Sequence, residues 1–279
     1  MPTVRPAPVK RSPPKTPVSV KSTVLSLAKG LRVLESFEPR EPELTLTQIA
    51  AKTGLDAGTA FRVVKTFLML GYLRQAEGAK RYRLAMKVLD LGFNALSAMD
   101  LHDSSRPILR SLVGEVSEAA SLSVLEGAEV VYIERVQAGW TRLGVNIRIG
   151  SRIPAYCTAA GIAILAHLPP ERRLEVLRLR ERVKLTPSTP VTIAEIEGRC
   201  RKARELGYAL SDQDTVPGLR VLGAPILDAD GHPYGAVSVA SPSIACPLDD
   251  FVATSAAPLV RAAADLSRIL RISGAASAA

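Results

Sequence analysis

Apolar residues recur every three or four positions in three successive segments between residues 26 and 68, the spacing of helices that bury one face. The first segment begins at Ser26 and places Leu27, Leu31 and Leu34 on one side, which predicts a helix that packs through these leucines. Residues 1–22 lack this spacing and contain six prolines and five basic residues, so we expect a disordered basic arm there.

The second and third segments carry signals for where their helices begin and end. Thr45 stands three residues before Gln48, the spacing of a capping box, and Gly54 predicts the end of this short helix. Asp56 is a favourable N-cap residue for the third helix. The apolar stripe of that helix is Ala60, Val63, Val64, Phe67 and Leu68. Two helices joined by a tight turn predict a helix-turn-helix.

Two short segments rich in strand-forming residues follow Gly71. Tyr72–Arg74 precedes a polar stretch that contains Gly78 and Lys80, and Arg81–Leu84 follows it. This pattern predicts a β-hairpin. A hairpin directly after a helix-turn-helix is typical of the wing in a winged helix domain.

The remaining chain alternates between strand-like and helix-like segments, which predicts an α+β fold with an antiparallel sheet flanked by helices. The predicted strands are Ser121–Leu125, Val130–Val136, Leu143–Ile149, Tyr208–Ser211, Leu219–Ile226 and Tyr234–Ala240. The predicted helices are Leu101–Val116, Thr158–Leu168, Glu171–Arg182, Ala194–Leu206 and Leu248–Leu270. After the arm, we therefore expect a winged helix-turn-helix domain (23–84), a linker helix (85–98) and a larger domain (99–274).

Composition narrows the class of protein. The length of 279 residues suits about two domains, and no apolar run reaches the ~18 residues of a membrane span. The start of the chain does not resemble a secretory signal, so we expect a cytoplasmic protein without a membrane partner. The three cysteines lack CxxC spacing and the histidines lack metal-ligand spacing, so we expect neither a metal nor a cofactor.

The positive charge is confined to the first third of the chain. Residues 1–90 hold 16 Lys and Arg against 7 Asp and Glu, whereas the remainder holds 20 of each. This asymmetry favours a nucleic-acid partner for the helix-turn-helix. The polar face of the third helix carries Gly58, Thr59, Phe61, Arg62, Lys65 and Thr66. We expect Arg62 and Thr59 to contact base edges, and Lys65, Lys80 and Arg81 to contact phosphates.

Small residues on the predicted strands indicate a cavity in the larger domain. Ala236, Ser238 and Ala240 share one strand face, as do Leu219, Val221 and Gly223 on another strand and Val145, Ile147 and Ile149 on a third. The helix that begins at Cys157, Thr158, Ala159 and Ala160 would direct free amides at a carboxylate. Close packing of a strand against a helix also requires small residues, and this alternative stays open.

An ordered set of short motifs resembles the IclR-type regulators. The motifs are AKGLRVLESF (28–37), LTQIA (46–50), TAFR (59–62), LGYL (70–73), GSRIP (150–154), TAAG (158–161), ELGY (205–208), PGLR (217–220) and API (224–226). The resemblance spans residues 22–271 and implies a winged helix-turn-helix domain with a GAF-like effector-binding domain. It also implies a homodimer, or a dimer of dimers, on a pseudo-palindromic operator, with a contact to RNA polymerase. Ala57 and Gly58 replace a Lys-Ser pair common in the family, so operator sequence cannot be transferred.

The resemblance also implies which residues bind an effector. Family effector pockets correspond to Val145, Ile153, Ala159, Ala160, Ser211, Asp212, Leu219, Val221, Ser238 and Ala240. The stretch from Pro154 to Thr158 is similar to a subgroup that controls catabolism of aromatic acids such as protocatechuate or 4-hydroxybenzoate in the β-ketoadipate pathway. We therefore expect an aromatic acid or its ring-cleavage product as the effector, with Tyr156 offering a phenol donor or a stacking surface. Thr158, Ser238 or a nearby arginine would bind its carboxylate. The candidate arginines are Arg148, Arg152 and Arg220.

Two other functions remain to be separated from ligand-responsive DNA binding. An enzyme could use Cys157 as a nucleophile at a helix start, although no partner base is visible in the sequence. An architectural DNA-binding protein would sense no ligand and would not need a large neutral domain. For a sensor, we expect the ligand to shift the linker helix and so change the spacing of two recognition helices.

Overall fold

The computed structural model describes residues 23–76, 80–97, 99, 101–114, 117–138 and 147–273. The chain divides into two compact units, Met1–Asn94 and Ala95–Ala279. The predicted arm (1–22), Gly78 of the predicted hairpin and Val145 of the predicted pocket lie outside the described residues. Among the residues that are described, no helix combines the length and apolar character needed to cross a membrane.

The first unit is a three-helix domain with a small antiparallel sheet. Its helices are α1 (Leu25–Glu35), α2 (Leu46–Thr53) and α3 (Ala57–Leu70). Its strands are β1 (Leu44–Thr45), β2 (Leu73–Gln75) and β3 (Arg81–Leu84), in the sheet order β1-β3-β2. The buried centre of the unit is Val33, Leu44, Ile49, Val64 and Leu73. The order of helices followed by a β2–β3 hairpin confirms the predicted winged helix-turn-helix.

Local capping fixes the turn between α2 and α3. Thr45 and Gln48 form the predicted capping box, in which the Gln48 amide donates to Thr45 Oγ1 at 3.3 Å and the Thr45 amide donates to Gln48 Oε1 at 2.9 Å. Gly54 ends α2 with φ of +67°, a conformation that glycine adopts without strain. Asp56 then caps α3 by accepting the Thr59 amide at 2.8 Å.

The predicted packing face of α1 is wrong for two of its three leucines, since Leu34 packs against the core but Leu27 and Leu31 do not. Gly30 and Val33 are the buried residues of this helix, whereas Leu27 and Leu31 are 64% and 51% exposed. Gly30 lacks a side chain and so lets the ring of Phe67 approach: a Cβ there would lie 3.3 Å from Phe67 Cζ. The helix therefore packs through its glycine side and leaves the two leucines outside the unit's core.

The second unit is a six-stranded antiparallel sheet between helices. Helix α4 (Val88–Ser97) precedes it, and its helices are α5 (His102–Ser111), α6 (Ala159–His167), α7 (Pro170–Arg178), α8 (Ile193–Leu206) and α9 (Leu248–Ser273). Its strands are β4 (Ala119–Glu126), β5 (Glu129–Gln137), β6 (Arg152–Pro154), β7 (Ala209–Asp212), β8 (Leu219–Leu227) and β9 (Pro233–Pro242). The sheet order is β6-β5-β4-β9-β8-β7. The predicted α+β class and antiparallel sheet are confirmed.

The two faces of the sheet bury different sets of residues. One face packs with α6, α7 and α8, through residues such as Ile162, Leu165 and Ile196. The opposite face packs with α5 and α9, through residues such as Leu109 and Leu259. On β9, Ala236 packs in the first cluster whereas Val237 and Val239 pack in the second, as the alternation of strand side chains requires.

Several predicted elements differ from the structure, including the helix predicted at Glu171–Arg182, which ends at Arg178. The predicted strand Leu143–Ile149 is wrong where it is described, because Ile149 and Gly150 form a turn in which Gly150 has φ of +84°. The strand next to β5 is instead β6, where Ile153 pairs with Val130. The linker helix begins at Val88 rather than residue 85, and α5 ends at Ser111 rather than residue 116.

Candidate DNA-binding face and ligand cavity

The polar face of α3 is available to a partner. Gly58, Arg62, Lys65 and Thr66 are exposed, Phe61 is 50% exposed, and Thr59 is half-buried beside the Asp56 cap. Hydrogen bonds from Thr59 lower the pKa of Asp56, which therefore stays ionised at the positive end of the helix. These interactions hold the first turn of α3 in place.

Local hydrogen bonds orient the side chains on this face. Arg62 Nη2 donates to Thr59 Oγ1 at 3.2 Å, and Thr66 Oγ1 donates to the Arg62 carbonyl at 2.9 Å. The Arg62 guanidinium is thus drawn towards the first turn of α3, the part of a recognition helix that meets base edges.

The hairpin contributes two more exposed cations, Lys80 and Arg81. Arg81 Nη1 donates to the Glu43 carbonyl at 3.3 Å, which ties the start of β3 to the strand before α2. Among the ion pairs formed by described residues, none includes Arg62, Lys65, Lys80 or Arg81. Their charges are therefore not neutralised by side chains described in this unit.

The second unit encloses a cavity of about 140 Å³ between the sheet and the start of α6. The cavity is lined by Ser121, Tyr132, Arg135, Ile147, Ile153, Thr158, Ala159, Ala160, Leu185, Ser211, Thr215, Val216, Leu219, Val221, Ser238 and Ala240. Most of the lining surface is apolar. Nine of these positions coincide with the predicted pocket: Ile153, Thr158, Ala159, Ala160, Ser211, Leu219, Val221, Ser238 and Ala240.

Two glycines allow the backbone segments around the cavity to approach each other. A Cβ on Gly161 would lie 2.1 Å from the Ala155 carbonyl oxygen, and a Cβ on Gly223 would lie 2.6 Å from the Ala159 carbonyl carbon. Strand β8 and the start of α6 are thus in direct backbone contact. Thr158 caps α6 by accepting the Gly161 amide at 3.0 Å. The amides of Ala159 and Ala160, at the cavity, have no acceptor within the helix.

Tyr156 and Asp212 do not line this cavity, contrary to the prediction. The Tyr156 hydroxyl donates to the Val183 carbonyl at 2.7 Å and accepts the Val183 amide at 2.9 Å, so it is satisfied within the core. Asp212 accepts from Arg220 Nε at 3.1 Å. Tyr156 belongs to a short 3-10 turn, Ala155–Cys157, which ends before the first residues of α6.

The three arginines proposed from the sequence also lie outside the cavity lining. Arg220 is held by Asp212 and by two carbonyl groups, and Arg152 pairs with Glu126 at 2.6 Å. Arg148 is exposed. The side chains of Arg152 and Arg220 are therefore engaged in contacts outside the cavity.

Sequence reasoning missed the polar part of the cavity on β4 and β5. Arg135 Nη1 donates to Ser121 Oγ at 2.8 Å, and Tyr132 lies beside them. Burial raises the pKa of Tyr132 to about 12 and lowers the pKa of Arg135. The signal in the sequence was an arginine shortly after the run Val130–Ile133 in the same strand.

Cys157 is unsuited to nucleophilic chemistry. The thiol is buried in the 3-10 turn before α6, and burial raises its pKa to about 12. Only the thiolate is nucleophilic, so this environment opposes the activation considered from the sequence.

Asp228, Asp230 and His232 come together at the β8–β9 turn. Asp228 Oδ1 accepts the Asp230 amide at 3.0 Å and the His232 amide at 2.8 Å. These bonds are those of an Asx-type turn, which accounts for the cluster without a ligand.

Two family descriptions match successive parts of the chain. "IclR helix-turn-helix domain" matches residues 26–77 and "Bacterial transcriptional regulator IclR C-terminal" matches residues 93–268. The two matches follow the division into two compact units.

Individual proteins are similar over most of their length. The Pca regulon regulatory protein of Pseudomonas putida is 33% identical over 77% of this chain and 74% of its own. A solved transcriptional regulator of Rhodococcus sp. RHA1 is 33% identical, with a TM-score of 0.78 over 89% of this chain and 98% of its own. An IclR homolog of Microbacterium hydrocarbonoxydans, solved in complex with 4-hydroxybenzoate, is 26% identical, with a TM-score of 0.75 over 88% of this chain and 99% of its own.

Proposed function

The chain belongs to the IclR family of bacterial transcriptional regulators, and we propose that it controls genes for the catabolism of an aromatic carboxylic acid. It is a ligand-responsive DNA-binding regulator and not an enzyme. The aromatic-acid proposal is supported by the similarity to a Pca regulon regulatory protein and to a homolog that holds 4-hydroxybenzoate. The observation that carries it in this chain is the cavity beside α6.

The proposed effector site is this cavity. A volume of about 140 Å³ is close to the ~150 Å³ of an engineered apolar cavity that accepts benzene, so one aromatic ring fits. The apolar lining suits the ring, and the amides at the start of α6 can donate hydrogen bonds to an oxygen of the ligand. Of the residues implied by the family resemblance, the proposal retains those that line the cavity and omits Tyr156 and Asp212.

The proposed operator contacts follow from the exposed face of α3. Arg62 reads a base edge in the major groove, assisted by Thr59, whereas Lys65, Lys80 and Arg81 neutralise phosphates. Gly58 lets the DNA approach the first turn of α3, and Phe61 and Thr66 complete the face. Phosphate contacts supply affinity without sequence information, so specificity depends on the helix.

We propose that the protein acts as a homodimer, or a dimer of dimers, on a pseudo-palindromic operator. Leu27 and Leu31 on α1 are exposed, as are Leu89, Leu91 and Phe93 on α4, and these apolar side chains would be covered by a second copy. Effector binding would shift α4 and change the spacing of two recognition helices. The site of action is the cytoplasm, and a contact with RNA polymerase belongs to the same proposal by family resemblance.

Footprinting on the DNA upstream of the protein's own gene tests this proposal. At low salt, we expect one protected region with two half-sites. The protein concentration that gives half-maximal protection should change when an aromatic acid such as 4-hydroxybenzoate is added. Because a ligand with equal affinity for both states shifts nothing, a change identifies a sensor. Protection that no acid alters would favour the architectural alternative, and no protection would refute the proposal.

A further inference from the structure

Among the described residues that line the cavity, Arg135 on β5 is the one cation, and it lies at the polar end. We infer that Arg135 is the residue that binds the effector's carboxylate, in a side-on bidentate pair. This inference rests on the proposed function and specifies how its ligand is recognised. Arg148, Arg152 and Arg220, the candidates from the sequence, lie outside the lining.

The hydrogen bonds of Arg135 leave one edge of its guanidinium unused. Nη1 donates to Ser121 Oγ at 2.8 Å, which fixes the plane of the group. Nε is fully buried and has no hydrogen-bond partner among the described residues. Nε and Nη2 together form the edge that can donate two parallel hydrogen bonds to a carboxylate. Ser121 thus acts as a positioning residue that presents this edge.

A bulge in β5 places Arg135 in the cavity. Leu122 pairs with Glu134 but the next residue, Ser123, pairs with Tyr132, so β5 has one extra residue at this point. Strict alternation would put residues 132 and 135 on opposite faces, and the bulge brings both to the cavity. Bulges are common beside functional sites because they redirect a side chain in this way.

The carboxylate of Glu134, the residue before Arg135 in β5, is directed away from the guanidinium by strand alternation. The Glu134 carboxylate accepts from Arg106 Nη1 on α5 at 3.1 Å and from the Arg135 backbone amide at 2.8 Å. It therefore lies on the opposite face of the sheet. No ion pair among the described residues includes Arg135, and the sequence that follows β5 (139–146) contains no Asp or Glu. In the described part of the chain, the guanidinium therefore has no carboxylate counter-ion.

An unpaired guanidinium in an apolar cavity is costly, because burial removes water from the charge. A ligand carboxylate would supply both the missing charge and the missing acceptor. A neutral ligand of the same shape would leave Arg135 desolvated and unpaired, which is how buried polar groups reject close analogues. The expected ligand class is a small monocarboxylic acid with one ring.

Calorimetry with matched acid and amide pairs tests the inference. The probes are benzoate, 4-hydroxybenzoate and pyruvate, each beside its uncharged amide. We expect at least one ring acid to bind wild type, at least about 10-fold tighter than its amide, because a hydrogen bond to a charged group is lost in the amide. In Arg135→Met this preference should disappear. Arg135→Lys keeps the positive charge but lacks the two parallel N–H donors of a guanidinium, so the preference for the acid should be reduced.

Arg152→Ala is the matched control, since it removes the same charge from the neighbouring strand outside the cavity. It should keep the wild-type preference. Thermal unfolding without ligand provides a second readout: Arg135→Met should be at least as stable as wild type, because it removes an unpaired buried charge. A large loss of stability would mean that Arg135 is structural and would overturn the inference.

Equal binding of acid and amide, unchanged acid affinity in Arg135→Met, or no binding by any probe acid would each overturn it too. The operator assay keeps this failure distinct from failure of the proposed function. If an uncharged aromatic amide alters operator binding, the protein is still a sensor and only the role of Arg135 falls.

Discussion

At the scale of single residues, Arg62 and Lys65 lie on the same exposed face of α3 but differ in their surroundings. Arg62 is oriented by Thr59 at 3.2 Å, towards the first turn of the helix. Lys65 lies about one helical turn after Arg62, and none of the described ion pairs includes it. We therefore expect the two cations to play different parts on DNA, one in recognition and one in affinity.

Replacing Arg62 by Ala should weaken binding to the operator by about 1–3 kcal/mol and relax base preference at one position of each half-site. Lys65→Ala is the matched control, because it should weaken binding to all DNA sequences alike. It should also reduce the slope of log affinity against log salt concentration by about one. Titrations of operator and scrambled DNA at several salt concentrations measure both effects. If Arg62→Ala weakened both DNAs equally, Arg62 would be a phosphate contact.

The residues of the cavity were partly predictable. Small residues on β8 and β9 and the start of α6 were found because alternation and helix capping depend on local sequence. Arg135 was missed because the β5 bulge is set by pairing with β4, which local alternation does not reveal. Tyr156 was misplaced because a 3-10 turn and the distant Val183 backbone, rather than the local pattern, decide where its ring goes.

At the scale of elements, the contact between β8 and α6 depends on the absence of one side chain. Gly223 brings the strand backbone against the first residues of α6, where a Cβ would lie 2.6 Å from backbone atoms. Since backbone cannot move aside like a flexible side chain, the strand and the helix would have to separate. The separation would distort the wall of the cavity at Ala159 and Ala160.

Gly223→Ala should therefore destabilise the protein by about 1–3 kcal/mol and weaken binding of ring acids. Gly198→Ala in α8 is the control, because the nearest atom to its new Cβ would be a side-chain atom 3.8 Å away. That variant should be neutral or more stable by up to ~1 kcal/mol, since Ala favours helix. Urea unfolding followed by circular dichroism compares them. Equal stability of the two variants would contradict the proposed packing.

Elements with strong local signals were predicted well. The capping box at Thr45 and the Asp56 cap both form as expected, because each requires only residues within one helical turn. The predicted strand Leu143–Ile149 fails at its described end, where Gly150 adopts a turn and donates to the Tyr132 carbonyl at 2.7 Å. That turn is stabilised by a distant strand, so apolar alternation alone could not indicate it.

At the scale of the whole molecule, the chain separates two kinds of chemistry. The surplus of basic residues lies before residue 91, and the cavity lies in the unit that begins at Ala95. A regulator must couple the two, because an effector acts only if its affinity differs between DNA-bound and free protein. Equilibrium linkage then requires that operator and effector alter each other's affinity by the same factor.

The measurement that tests this coupling most directly is a thermodynamic cycle, made of four affinities for operator and effector. Operator affinity is measured with and without a saturating ring acid, and acid affinity is measured with and without operator. We expect the same factor in both directions, about 5- to 150-fold. A factor of one in both directions, with the acid seated in the cavity and the operator bound, would contradict the account.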